Sequence, residues 1–277
     1  LLEPPARVEL ARPGLGNLAP KSVGGDKYVV SDQLRPSRIN KIEYWHTCDS
    51  SEQYHSVGIK MVPIPYAPNS FTYNFNEEGF RCDSFKLPTD LPIVFLGCSI
   101  TEGVGLPLEE TWSYKILEKI RNITNKNIPY WSLALGGTGI DCQVRLLYEF
   151  VHKRPIKHIF CLFPAGGRRE YCLDSPTIRQ WLPRETPVFP AHVTKLFSDP
   201  YYTAHQDNRS LMLLAAISKL QAAPIVISQW GKQNSLPIDF PSSIDCSLDR
   251  ARDAMHPGPI AHTDFSNVFW EHIKHLF

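Results

Sequence analysis

No stretch of this chain approaches the ~18 consecutive apolar residues of a membrane-spanning helix, so no span is expected. Neither sign of charge is in excess: 29 basic residues face 28 acidic ones. The electrostatic footprint of a nucleic-acid binder is therefore missing, as is any basic run interleaved with aromatics. No two of the seven cysteines are spaced CxxC. That speaks against a structural metal site, and neither a metal nor a cofactor is expected. Cys98 and Cys161 fall in or beside apolar runs and Cys142 on a helical pattern, so they read as buried free thiols. A reducing compartment fits that reading, and one or two disulfides remain open. Residues 1–16 lack the basic start and continuous apolar core of a signal peptide. The first residue is Leu rather than Met, so the start is read as processed or trimmed and the compartment stays open. Neither GxGxxG nor GxxxxGK[ST] follows the first strong strand, which argues against a nucleotide-binding protein.

What is present is a core. Of 277 residues, 43% are hydrophobic and 11% aromatic, enough for one sizeable folded domain with a smaller appendage. Residues 1–40 are rich in Pro and Gly and weakly patterned. They read as an extended arm or linker, a place for a protein partner to dock. Residues 41–88 read as a small β-rich unit. Its strand candidates are Ile42–His46, Gly58–Val62 and Phe71–Asn76, the last alternating aromatic with polar side chains. From residue 89 to 277 strands and helices alternate. Strands are expected at Pro92–Leu96, Tyr130–Leu135, His158–Phe163 and Pro224–Trp230. Helices are expected over Glu109–Ile123, Ile140–Val151, Asp207–Ala222 with Asp207 as its cap, and Asp264–Leu276. Residues 165–206 show no clear period and read either as a functional insertion or as a stretch containing short helices.

Short apolar strands alternating with helices imply an α/β fold: three layers, with a flavodoxin-like parallel sheet covered by helices on both faces. Right-handed crossovers then place every strand's carboxyl end on one edge, where open α/β sheets bind ligands. Ser99, Gly136-Gly137 and Gly166-Gly167 all fall on that edge. A serine hydroxyl is a weak nucleophile that needs a base, and the base needs an orienting carboxylate. Among ten histidines, His256 stands out by its setting. Asp253 precedes it by three residues, a spacing that puts both on one face of a tight turn.

Gly97-Cys98-Ser99-Ile100-Thr101-Glu102-Gly103 resembles the nucleophile block of the SGNH (GDSL-type) hydrolases, written GDSxTxG. Asp253-Ala254-Met255-His256-Pro257 resembles their DxxHP block. Ser132-Leu133-Ala134-Leu135-Gly136-Gly137 resembles their second block, in which a glycine N–H binds the oxyanion; alignment gives that role to Gly137. The resemblance covers about residues 90 to 277, and the run Tyr73-Asn74 to Gly79-Phe80-Arg81 is similar to a lead-in seen before some such domains. It implies a serine esterase with Ser99, His256 and Asp253 as its triad, acting through an acyl-enzyme on small-molecule or carbohydrate O-acyl esters. The Gly-x-Ser-x-Gly elbow of the α/β-hydrolases is absent. Two positions depart from the family pattern. Cys98 stands where the family has Asp. The third block, GxND, whose Asn donates to the oxyanion, is replaced by Pro164-Ala165-Gly166-Gly167-Arg168-Arg169-Glu170. The oxyanion donors then expected are the N–H groups of Ser99 and Gly137, with the Gly166 N–H or the guanidinium of Arg168 or Arg169 in place of the Asn. The alternative implied by the missing Asn is a non-catalytic member of the fold, serving as a binding or structural module of a larger assembly.

Overall fold

The computed structural model describes residues 31–46, 49–55, 66–164, 167–171, 179–181, 191–230, 239–241 and 249–277. Helix α1 (Ser31–Arg38) comes first, where the sequence suggested extended chain. Strand β1 (Ile42–Glu43), one turn of helix α2 (Ser51–Gln53) and strand β2 (Tyr73–Asn74) follow. β1 and β2 pair antiparallel, Glu43 opposite Tyr73. The strand candidate at Gly58–Val62 and residues 1–30 of the expected arm lie outside the described residues.

The main domain runs through strand β3 (Ile93–Gly97), one-turn helix α3 (Ser99–Glu102), helix α4 (Trp112–Thr124), strand β4 (Trp131–Ser132), helix α5 (Ile140–Val151) and strand β5 (His158–Phe163). A hairpin of β6 (Arg169–Tyr171) and β7 (Arg179–Trp181) comes next. Helices α6 (Ala191–Ser198) and α7 (Pro200–Gln221), strands β8 (Ile225–Gln229) and β9 (Phe240–Pro241), and helix α8 (Pro259–Ile273) complete it. The sheet is five-stranded in the order β4-β3-β5-β8-β9, and each of its pairings is parallel. In order of appearance that is 2-1-3-4-5, the flavodoxin-like arrangement, whose direction of winding reverses between β3 and β5.

β3 and β5 are buried at every residue, which is why their sequences are continuous apolar runs rather than alternating ones. On one face Phe95 meets Trp112 of α4 and Phe160 meets Phe269 of α8, with ring centroids 5.7 and 5.6 Å apart. On the other, Phe150 of α5 packs against Phe85 and Trp131. Pairs of aromatics at such separations add about 0.5–1.5 kcal/mol each beyond the area they bury. α4 lies beside α8 and α5 beside α7, so helices cover both faces of the sheet.

Three helix starts differ from the sequence expectation, each because a side chain caps the helix elsewhere. α4 begins at Trp112 because Thr111 accepts the Tyr114 N–H, and the two glutamates before it form a 3₁₀ turn (Leu108–Glu110). α7 starts at Pro200, its cap being Asp199, which accepts the N–H groups of Tyr201 and Tyr202. Asp207 is therefore no cap: it is buried inside the helix and ion-paired to Arg169 at 2.8 Å. α8 starts at Pro259, because Asp249 reaches across the preceding turn to accept the N–H groups of Ile260 and Ala261.

Candidate active site

Ser99 stands where β3 ends. Gly97 is the last residue of the strand, and a Cβ there would lie 2.1 Å from Thr101 Oγ1 and 2.7 Å from the Leu162 carbonyl of β5. Only glycine lets β3 approach both. Cys98 then takes the extended N-cap conformation, and Ser99 opens helix α3. The first N–H groups of a helix have no intrahelical acceptor, so the Ser99 amide is placed to meet an incoming negative charge. Cys98 is buried to 1% exposure and unpaired, so it is shielded from solvent.

The second part of the site is the turn before α8. Asp253 Oδ1 accepts the backbone N–H groups of Met255 (3.1 Å) and His256 (3.0 Å). Ala254 between them takes a left-handed φ of 56°. The turn is closed by the Ala251 N–H donating to the His256 carbonyl. It is held against the loop that follows Ser99 at Gly105, whose carbonyl accepts the Arg252 N–H at 2.9 Å. Gly105 has φ 81°, and a Cβ there would lie 2.7 Å from the Ala251 Cβ. The close approach of these two loops therefore requires glycine.

These two loops bring together three of the residues singled out in the sequence. His256 Nε2 lies 2.7 Å from Ser99 Oγ, and Nδ1 of the same ring contacts Asp253 Oδ2. Ser99 and Asp253 are buried, while the His256 ring keeps 17% of its surface exposed. Burial pushes the Asp253 carboxyl up, but His256 and the two backbone N–H donors outweigh it and hold it below its ordinary value. An ionised carboxylate only accepts hydrogen bonds, so Nδ1 carries the proton and Nε2 presents its lone pair to the Ser99 hydroxyl. Burial lowers the His256 pKa, the Asp253 carboxylate raises it and Arg168 lowers it; the net direction is upward.

The candidates for the oxyanion site fare differently. Gly137 (φ 80°) lies in the turn after β4, on the same edge as Ser99. Gly166 lies outside the described residues. Arg169 is directed at α7: its guanidinium donates to the Thr203 carbonyl and pairs with Asp207. The charge of Arg168 lowers the His256 pKa. Its Nη1 is buried and has no hydrogen-bond partner among the described residues. Sequence reading missed Glu102, Arg252 and Gly105. Glu102 lay in full view inside the nucleophile motif, and Arg252 directly before Asp253. Nothing in the sequence says that both are buried, at 2% and 0% exposure. The described residues contain no cluster of His, Cys, Asp or Glu suited to a metal ion, and no helix long and apolar enough to cross a membrane.

No protein-family model matches the chain, and no curated protein does. Among solved structures it is similar to the psychrotrophic esterase EstA from Pseudoalteromonas sp., at 14% identity over 68% of this chain and 98% of that one, with a TM-score of 0.35. It is similar to TesA, at 11% identity over 67% of this chain and 99% of that one, with a TM-score of 0.32. A third is a two-domain esterase active on acetylated mannans, at 16% identity over 66% of this chain and 49% of that one, with a TM-score of 0.33.

Proposed function

We propose that the chain is a serine esterase of the SGNH type that hydrolyses an O-acyl ester, acetylated carbohydrates among them, through an acyl-enzyme. The observation that carries this reading is the unbroken contact from Asp253 through His256 to Ser99, across loops 154 residues apart in sequence at Ser99 and Asp253. Ser99 Oγ attacks the ester carbonyl while His256 Nε2 takes its proton. Asp253 holds the ring tautomer and stabilises the imidazolium. The carbonyl oxygen, now negative, is received by the N–H groups of Ser99 and Gly137. Arg168 supplies the donor that the family's Asn would give, since its Nη1 is unpartnered among the described residues and its charge is felt at His256. Collapse of the tetrahedral intermediate transfers the proton from His256 to the leaving alcohol. Water, deprotonated by the same nitrogen, then releases the acid and restores Ser99.

The test is hydrolysis of p-nitrophenyl acetate by wild type and Ser99→Ala. Loss of the hydroxyl should lower kcat by about 10³-fold or more. Equal turnover by the two proteins would remove the reading.

A further inference from the structure

The proposed chemistry leaves one group beside the nucleophile unexplained. Glu102 lies three residues after Ser99 in the single turn of α3, and its side chain is wholly buried. A lone buried carboxylate would be expected to take up a proton. Here burial does push the group up. His46, Arg38 and the Gly136 N–H outweigh that and bring it down to about 2, so it remains charged. As a carboxylate it can only accept. Its Oε1 therefore takes the N–H of His46 Nε2 at 3.3 Å and of Arg38 Nη1 at 3.4 Å. Its Oε2 takes the backbone N–H of Gly136 at 2.6 Å. One side chain thus ties together the nucleophile helix, the Gly136-Gly137 turn and the segment before the main domain.

The other links run the same way. Arg81, from the lead-in to the domain, is buried and donates to the carbonyls of Glu102, Gly103 and Leu106 at 3.0, 2.6 and 2.7 Å. Arg252, next to Asp253, is gripped by Asp49 through Nε and Nη2 and lies over the rings of Phe71 and Trp45. Both catalytic loops are therefore anchored by residues 38–81 rather than only by the main domain.

We propose that Glu102 is a positioning residue of this site: held by Arg38 and His46, its carboxylate fixes the Gly136 amide and with it the oxyanion turn relative to Ser99. This rests on the esterase reading. A purely structural carboxylate would leave the electrostatics of the site unchanged. Glu102 does not, because its negative charge supports the charged form of His256 alongside Asp253, against burial and the charge of Arg168.

Two readouts follow. The rate at which a fluorophosphonate phosphonylates Ser99 reports nucleophile and oxyanion geometry without knowledge of the natural ester. NMR titration of the His256 ring reports its charge without any turnover. Glu102→Gln should slow phosphonylation by about 10-fold or more, lower kcat with KM little changed, and move the His256 titration to lower pH. Glu102→Asp keeps the charge but draws it back from Gly136. It should titrate His256 as wild type does while still reacting slowly, and it decides the matter where Glu102→Gln does not fold. Wild-type phosphonylation by a folded variant of either kind overturns the assignment of Glu102 alone. A wild-type protein that neither reacts at Ser99 nor hydrolyses an activated ester removes the esterase reading instead, and with it the reaction that Glu102 serves.

Discussion

His262 should make this fold sensitive to acid, by an amount that the structure allows to be worked out. It lies on α8 at 1% exposure and its Nδ1 accepts the backbone N–H of Trp112 at 3.0 Å. That N–H belongs to the first residue of α4, which has no intrahelical acceptor, so an imidazole on one helix satisfies the start of another. Protonation of Nδ1 would set two donors face to face. Burial first, then the charges of His256 and Lys115, push the imidazole from its ordinary 6.5 down to about 3. Between those two values the unfolded chain binds a proton that the folded chain does not. Stability from this group is thus fully present above pH 6.5 and is lost as pH falls. At pH 4.5 the unfolded imidazole is about 100:1 protonated while the folded one is neutral. The cost relative to pH 8 is on the order of 3 kcal/mol. His262→Gln offers the Trp112 N–H an amide oxygen and has nothing to titrate. Urea unfolding of both proteins at pH 8 and 4.5 isolates the effect, because every other titrating group is common to them. Wild type should lose roughly 3 kcal/mol more than the variant. Losses equal to within about 0.5 kcal/mol would refute the assignment of a buried, neutral, accepting His262.

Further outcomes concern the site and the arginine pair beside it. The proposed mechanism needs His256 neutral before substrate binds, and its pKa lies above the ordinary imidazole value, so kcat/KM should fall on the acid side with an apparent pKa above 6.5; Asp253→Asn should lower kcat by about 10⁴-fold, and a drop of less than about tenfold would mean that Asp253 does not orient the ring. Arg168→Ala should lower kcat on an activated ester by about 10²-fold with KM little changed, whereas Arg169→Ala, which breaks the buried pair with Asp207, should lower the unfolding midpoint instead; wild-type kcat in Arg168→Ala would leave the oxyanion to backbone donors.

The alternation of apolar runs and helical periods already determined the class of fold, because a strand covered on both faces has no polar face to show. β5 and α5 were legible to the residue for that reason. β9 was not: it is two residues long, Phe240–Pro241, and its pairing with β8 is a tertiary event with no local period. The motifs likewise marked Ser99, Asp253 and His256 as candidates, since residue type and spacing are local properties. What only the tertiary structure decided is which groups lose their water. Arg168 and Arg169 are adjacent and chemically identical, yet one pairs with Asp207 on α7 and the other acts on His256. Glu102 looked like a variable position in a motif and is an ionised carboxylate sealed between Arg38, His46 and Gly136. Burial and partners come from residues dozens or hundreds of positions away, 203 for Asp49 and Arg252. They fix the charge and reach of each side chain, which the order of residues along one stretch of chain does not contain.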